Sequence, residues 1–184
     1  GLELLLRAFK QVAAGNDEAH LVVIGGMQSL SLSQEEAESY CQRLTDLRDE
    51  LGLSRSVTFT GYVDSERVSE LLLASDVCVL PFNHGASLKS GSLLAALAHG
   101  LPVLTTRTEA TTDELKDGEN VLLVPPRNPA ALAAGLERLL TSEALRARLA
   151  QGARALSSRF SWKRIADEHI NLYSTLLPKR IVAD

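Results

Sequence analysis

The sequence predicts an α/β fold, a parallel sheet flanked by helices, and three observations carry that expectation. Five short runs of apolar and β-branched residues alternate with longer amphipathic ones. Several of the short runs are apolar at consecutive rather than alternating positions, which suits strands covered on both faces. The junctions between runs carry helix-capping and turn residues at the offsets that capping chemistry requires. Strand and helix in repetition give right-handed crossovers, and ligands of such open sheets bind beyond the carboxyl ends of the strands.

In order along the chain, Gly1 opens directly into Leu2-Glu3-Leu4-Leu5-Leu6-Arg7-Ala8-Phe9, helical in pattern from its first residues. Nothing before it supplies a strand, so the chain is expected to continue a longer protein whose first strand precedes Gly1. Strands are predicted at 21–24, 57–60, 77–80, 102–105 and 121–124. Ser33 followed by Glu36 forms a capping box, in which the hydroxyl accepts an orphan amide and the carboxylate returns the bond; that helix runs to about Leu51 and stops at Gly52. Asp64 caps a helix bearing Val68, Leu71 and Leu72. Asn128-Pro129 supplies a cap and a first-turn proline for a helix over 130–140, and Thr141 is expected to open another through Leu149. Residues 161–177 place Trp162, Ile165, His169, Leu172 and Tyr173 at helical spacing, a final amphipathic helix lying on another surface. The expected organisation is one domain over 1–160 and a C-terminal helix and tail over 161–184.

The 184 residues, 45% hydrophobic, are enough for a real core and exclude a disordered or collagenous chain. A net charge of −4 argues against a general nucleic-acid binder, which would present surplus Lys and Arg to phosphates. No apolar run approaches the roughly 20 residues of a membrane helix, and no signal-peptide pattern opens the chain, so a cytoplasmic location is expected. Cys41 and Cys78 show no CxxC spacing and read as small core residues of a reducing compartment, with a disulfide between them left open. No set of His, Cys and carboxylates has metal-ligand spacing.

Candidate site residues follow the strands. Gly25-Gly26-Met27 lets a backbone approach a ligand, or is only a tight strand exit; the spacing is not GxGxxG. Gly61-Tyr62-Val63-Asp64 offers backbone groups to a nucleobase edge with Tyr62 as a wall, or is a turn into a capped helix. The third strand leads into Pro81-Phe82-Asn83-His84-Gly85-Ala86-Ser87-Leu88-Lys89-Ser90-Gly91-Ser92 and a helix start at Leu93. Small hydroxyl residues and one Lys before a helix leave amides and partial positive charge directed outward, which attract phosphate, with Lys89, Ser90 and Ser92 reinforcing them. The bland alternative is a solvated loop capped by serine. His84 invites a proton-shuttle role, although a lone loop histidine is more often simply exposed. His99 reads as a residue complementing a helix C-terminus, and His20 and His169 as structural. Arg138, Arg146, Arg148, Arg154 and Arg159 give the late helices a basic surface, most simply a solvated face, with a peripheral contact at the inner membrane face as the minority reading.

The start at Gly1, Leu21-Val22-Val23-Ile24-Gly25, Val57-Thr58-Phe59-Thr60-Gly61-Tyr62-Val63, Ala74-Ser75-Asp76-Val77, Ala96-Leu97-Ala98-His99-Gly100-Leu101-Pro102-Val103, Asp117-Gly118-Glu119-Asn120-Val121-Leu122-Leu123-Val124-Pro125-Pro126 and Phe160-Ser161-Trp162 resemble, in that order, the C-terminal half of GT-B glycosyltransferases of family 4, glycosyl transferase group 1. The resemblance implies a Rossmann-like domain that binds a nucleoside diphosphate sugar as donor substrate, with no permanently bound cofactor. It implies a partner acceptor domain before Gly1 and a retaining transfer by the full-length parent, the fragment alone being inactive. The family's Glu-x7-Glu pair falls on Ser87 and Ala95, so both carboxylates are absent and the serine-rich loop stands in their place. The Arg and Lys that grip the diphosphate in the family would precede Gly1. Glu114 matches the Glu after the next strand, or is a first-turn acid on a short helix. Rival readings are a degenerate, non-catalytic nucleotide-binding or scaffold module and a nucleotide-sugar epimerase-like protein of the same architecture.

Overall fold

The computed structural model describes residues 1–26 and 33–176. The order is α1 Leu2–Gly15, β1 Leu21–Val23, α2 Gln34–Glu50, β2 Val57–Phe59, α3 Ser65–Leu73, β3 Cys78–Leu80, α4 Gly91–Ala98, β4 Val103–Thr106, β5 Leu122–Val124, α5 Pro129–Thr141, α6 Glu143–Ser157, a 3-10 turn Ser158–Phe160, and α7 Trp162–Leu176. Met27 and Leu177, which the sequence places at a strand exit and a helix end, lie outside the described residues.

Among the described residues the strand pairs are parallel, as the consecutive apolar runs predict. They form two ladders, β1–β2 with Val22 opposite Thr58, and β3–β4–β5 with Val79 opposite Leu104 and Thr105 opposite Leu123. Among the described residues no strand pairing joins the ladders; apolar packing does. Leu5, Leu6, Phe9 and Val12 of α1 share one core with Val23 and Val57 of the first ladder and Leu104, Leu122 and Val124 of the second. On the other face Leu93, Ala96 and Leu97 of α4 close over Val103, Val121, Leu115, Ala153 and Leu156. Strand β4 is buried along its whole length between these clusters, and each such Val or Leu contributes about 1.5–3 kcal/mol by leaving water.

The caps do most to fix where helices begin. Ser33 and Glu36 form the reciprocal box, Asp64 accepts from the Arg67 amide at 2.8 Å, and Asn128 accepts from Ala131 at 3.0 Å. One expected cap moves by a residue: Ser142, extended at φ −120° and ψ 95°, opens α6 and accepts from Leu145 at 3.2 Å. Thr141 instead ends α5, because its hydroxyl bonds back to the Glu137 carbonyl at 2.7 Å within the helix.

One of the late arginines, Arg146, does not join the solvated face expected of it, whereas Arg154 stays exposed. Arg146 donates to the Leu139 and Leu140 carbonyls at 2.7 and 3.0 Å and so satisfies the C-terminus of α5. The Arg154 guanidinium lies over Gly100, just past the end of α4, so close that a Cβ there would sit 2.5 Å from Nε. Cys41 is also misread by its amphipathic setting: it is exposed on α2, while Cys78 is largely buried, and both thiols are free. α7 forms as expected but buries no residue, leaving Trp162, Ile170, Leu172, Tyr173 and Leu176 exposed. Among the described residues no helix is long and apolar enough to cross a membrane.

Candidate functional site

In a parallel ladder every strand ends at the same edge, so the loops after the strands gather there. At the first ladder Gly25 and Gly61 bridge the ends of β1 and β2, and the Gly25 amide donates to Thr60 Oγ1 at 3.1 Å. Gly25 takes φ +113° and Gly61 φ +64°, backbone shapes that L side chains rarely adopt. Tyr62 follows with 86% of its surface exposed, its backbone against Gly26, and Val63 is half-buried beside it.

The second ladder meets the first through α1. That helix descends from the carboxyl-end edge before β1 rises back to it, and its N-terminal Gly1 packs against the Pro81 carbonyl just beyond β3. α1 starts from Gly1 with Glu3 in its first turn, and its N-terminus lies at this edge.

The loop between β3 and α4 is shaped by its own hydroxyls. Ser87 Oγ accepts from the Lys89 amide at 3.2 Å, and Ser90 N donates to the Ser87 carbonyl at 3.0 Å. Ser90 is the cap of α4, accepting from Leu93 N at 3.4 Å with its Oγ 2.9 Å from Ser92 Oγ. The amides of Gly91 and Ser92 have no acceptor among the described residues, and Lys89, Gly91 and Ser92 are exposed. Leu93 brings only its backbone to this edge, since its side chain is fully buried in the core. The edge therefore presents helix N-termini, free amides, hydroxyls and an ammonium, a set that binds an oxyanion without a metal ligand cluster. Among the described residues no three His, Cys, Asp or Glu side chains gather as a metal site.

His84 and Glu114 stand apart from this set. The His84 carbonyl is held by Thr108 Oγ1 at 3.1 Å, while its imidazole is exposed and bonded to nothing among the described residues. Glu114 lies in a turn rather than on the short helix its surroundings suggested. With Asp113, Lys116, Asn120 and Arg159 it lines an open cleft of about 570 Å³ against the end of α6, shared with none of the other predicted site residues. His99, His20 and His169 are structural: His20 Nε2 lies 2.9 Å from Thr58 Oγ1, and His169 bonds the Ile165 carbonyl within α7.

Sequence reading missed the threonines at the end of β4 and just beyond it, across the ladder from the exit of β3. Thr105, Thr106, Thr108 and Thr111 all bond the chain near this loop or one another, and the hydroxyl-rich run Thr105-Thr106-Arg107-Thr108 that closes and leaves β4 was the available signal.

The sequence model of the family "Glycosyl transferases group 1" matches residues 1–156. The chain belongs to that family. Among curated members, the D-inositol 3-phosphate glycosyltransferase of Stackebrandtia nassauensis is 31% identical over 98% of this chain, which spans 40% of that protein. Among solved structures, Anabaena HepE in complex with UDP superposes with a TM-score of 0.80 at 21% identity, over 95% of this chain and 45% of HepE. The C-terminal domain of a glycosyl transferase group 1 protein, LpcC from Francisella tularensis, gives a TM-score of 0.74 at 22% identity, over 88% of this chain and 80% of that one. The fold is that of the C-terminal half of a GT-B glycosyltransferase, parallel strands flanked by helices. The chain spans about two fifths of the length of the curated relative it matches.

Proposed function

We propose that this chain is the donor-binding half of a retaining glycosyltransferase that takes a nucleoside diphosphate sugar and passes the sugar to an acceptor held by another domain. The observation that carries the reading is the Ser87–Ser92 approach to α4, with free amides at Gly91 and Ser92 beside an exposed Lys89, on the loop that leaves β3 where Gly1 packs against Pro81. Complexes of HepE with UDP, and the transferase relatives, support a nucleotide-sugar ligand of this kind.

The chemistry requires the leaving diphosphate to be stabilised as its bond to the sugar breaks and its negative charge grows. Preorganised amides at a helix N-terminus supply that stabilisation without reorganising, and the Lys89 ammonium adds a full charge. Gly25, Gly26 and Gly61 allow a base to approach backbone groups, with Tyr62 and Val63 as its wall. Ser87 offers a hydroxyl to the sugar. His84, exposed on the β3–α4 loop, is the candidate group for proton transfer, and Glu114, exposed in the separate cleft against α6, the candidate for sugar contact.

A non-catalytic nucleotide-binding module is the second reading, favoured by Ala95, whose methyl cannot hold a ribose hydroxyl as a carboxylate would. Calorimetric titration with UDP, GDP and ADP tests the shared core of both readings. Binding should appear for one diphosphate and weaken about tenfold in Lys89→Ala, the effect of losing one charge-assisted bond. Unchanged affinity in that variant would reject the role given to this loop. The full-length parent should transfer labelled sugar while these 184 residues bind the donor without transferring it; transfer by the 184 residues alone would refute the two-domain reading.

A further inference from the structure

Backbone pairing between β3 and β4 ends at Leu80 opposite Thr105, yet the two chains stay joined beyond that point. Side-chain hydroxyls take over. Thr105 Oγ1 donates to the Leu80 carbonyl at 2.8 Å, Thr106 Oγ1 to the Phe82 carbonyl at 2.6 Å, and Thr108 Oγ1 to the His84 carbonyl at 3.1 Å. These are alternate carbonyls of one strand exit, taken in order. The Thr106 carbonyl accepts in turn from Ala86 N at 2.8 Å, and Thr111 Oγ1 accepts from Thr108 N at 3.0 Å, which fixes the outermost rung. Thr105 and Thr106 are fully buried, at 0% and 1% exposure, where valine would match their shape and only the hydroxyl distinguishes them.

The bonds inside the Ser87–Ser92 segment are local and say nothing about where that segment sits relative to the strands. Its placement is set by the threonine rungs immediately before it together with the packing of Ala86 and Leu88 on the second core. We propose that Thr106 and Thr108 are positioning residues for nucleoside diphosphate binding, aligning the Phe82–Ser90 loop so that the Lys89 ammonium and the α4 amides meet the phosphates. This rests on the donor-binding reading of that loop.

The test uses the 184-residue chain, isotope-labelled, titrated with UDP as the probe. Thr108→Val and Thr106→Val should each weaken UDP binding by roughly tenfold, one misaligned set of charged bonds, and shift the apo amide signals of Gly85, Lys89, Ser90 and Gly91. Thr108→Ser and Thr106→Ser, which keep the hydroxyl, should restore both affinity and signals. If the buried Thr106→Val does not fold, the partly exposed Thr108 pair decides alone. Wild-type binding that persists within twofold in Thr108→Val, or a serine variant that fails to rescue, overturns the positioning role and leaves the donor reading intact. Wild-type loop amides unmoved by UDP overturn the donor reading itself, and the positioning role with it.

Discussion

His99 Nε2 and Ser69 Oγ lie 2.7 Å apart and tie α3 to the C-terminal cap of α4. The other ring nitrogen, Nδ1, is 2.8 Å from the Ala95 carbonyl, which can only accept, so Nδ1 carries the proton and Nε2 receives the serine hydroxyl. The contact holds the back of α4 while its front faces the site. Ser69→Ala should lower unfolding free energy by about 0.5–1.5 kcal/mol, and His99→Ala should cost little more once Ser69 is gone. A denaturant double-mutant cycle reads the coupling; strictly additive losses would show that the pair contributes nothing.

Gly85 takes φ +85°, and a Cβ there would sit 2.5 Å from Thr108 Oγ1 and 2.9 Å from Thr111 Oγ1. Gly85→Ala therefore meets both backbone strain and the threonine hydroxyls, and should destabilise by about 1–3 kcal/mol. Gly25 provides the control. It has φ +113° but open space where its Cβ would point, so Gly25→Ala should suffer strain without collision. Thermal melts that place Gly25→Ala below Gly85→Ala would contradict this account.

Local chemistry made most of the fold legible. The Ser33–Glu36 box, the Asp64 and Asn128 caps and the buried strands are each decided within a few residues, and each forms where its pattern lies. What was not legible depends on partners distant in sequence. Arg146 looks like surface charge until α6 folds back on the end of α5. The threonines that close β4 and follow it show no role until the exit of β3 is laid beside them. The same limit applies to the site: the helix start at Ser90 is written in its own loop, whereas the convergence of Gly1 on Pro81, 80 positions away in sequence, follows only from α1 packing across both ladders.

The capping box predicts a pH dependence. The Ser33 amide, at 2.8 Å, and then the Ser33 hydroxyl, at 2.9 Å, bond the Glu36 carboxylate and hold its carboxyl below the ordinary value of 4.5. A folded-state value below the unfolded one means that the box stabilises the protein above the unfolded value, and that this contribution is lost as pH falls through the folded one. Wild type should exceed Glu36→Gln in melting temperature near neutrality, and the gap should narrow on acidification below pH 4.5. A gap that stays constant across that range would refute the assignment.

The two cysteines should differ sharply in reactivity. The attacking species is the thiolate, so reactivity follows both exposure and the ionised fraction. Burial pushes the Cys78 thiol up to about 12, whereas Cys41 is exposed on α2. At pH 8 a thiol so shifted is ionised in only about one molecule in ten thousand, and its position in β3 shields that fraction as well. Iodoacetamide should therefore modify the folded chain once, at Cys41, and a second time only after denaturant opens the core around Cys78. Because the same burial that silences the thiol also packs it against the core built on Leu93, Leu97 and Val103, the second modification should track global unfolding rather than local fraying. Rapid double labelling of the native chain in mass spectra would show that β3 opens on its own, and the rungs that hold the loop after it would lose their rigid base.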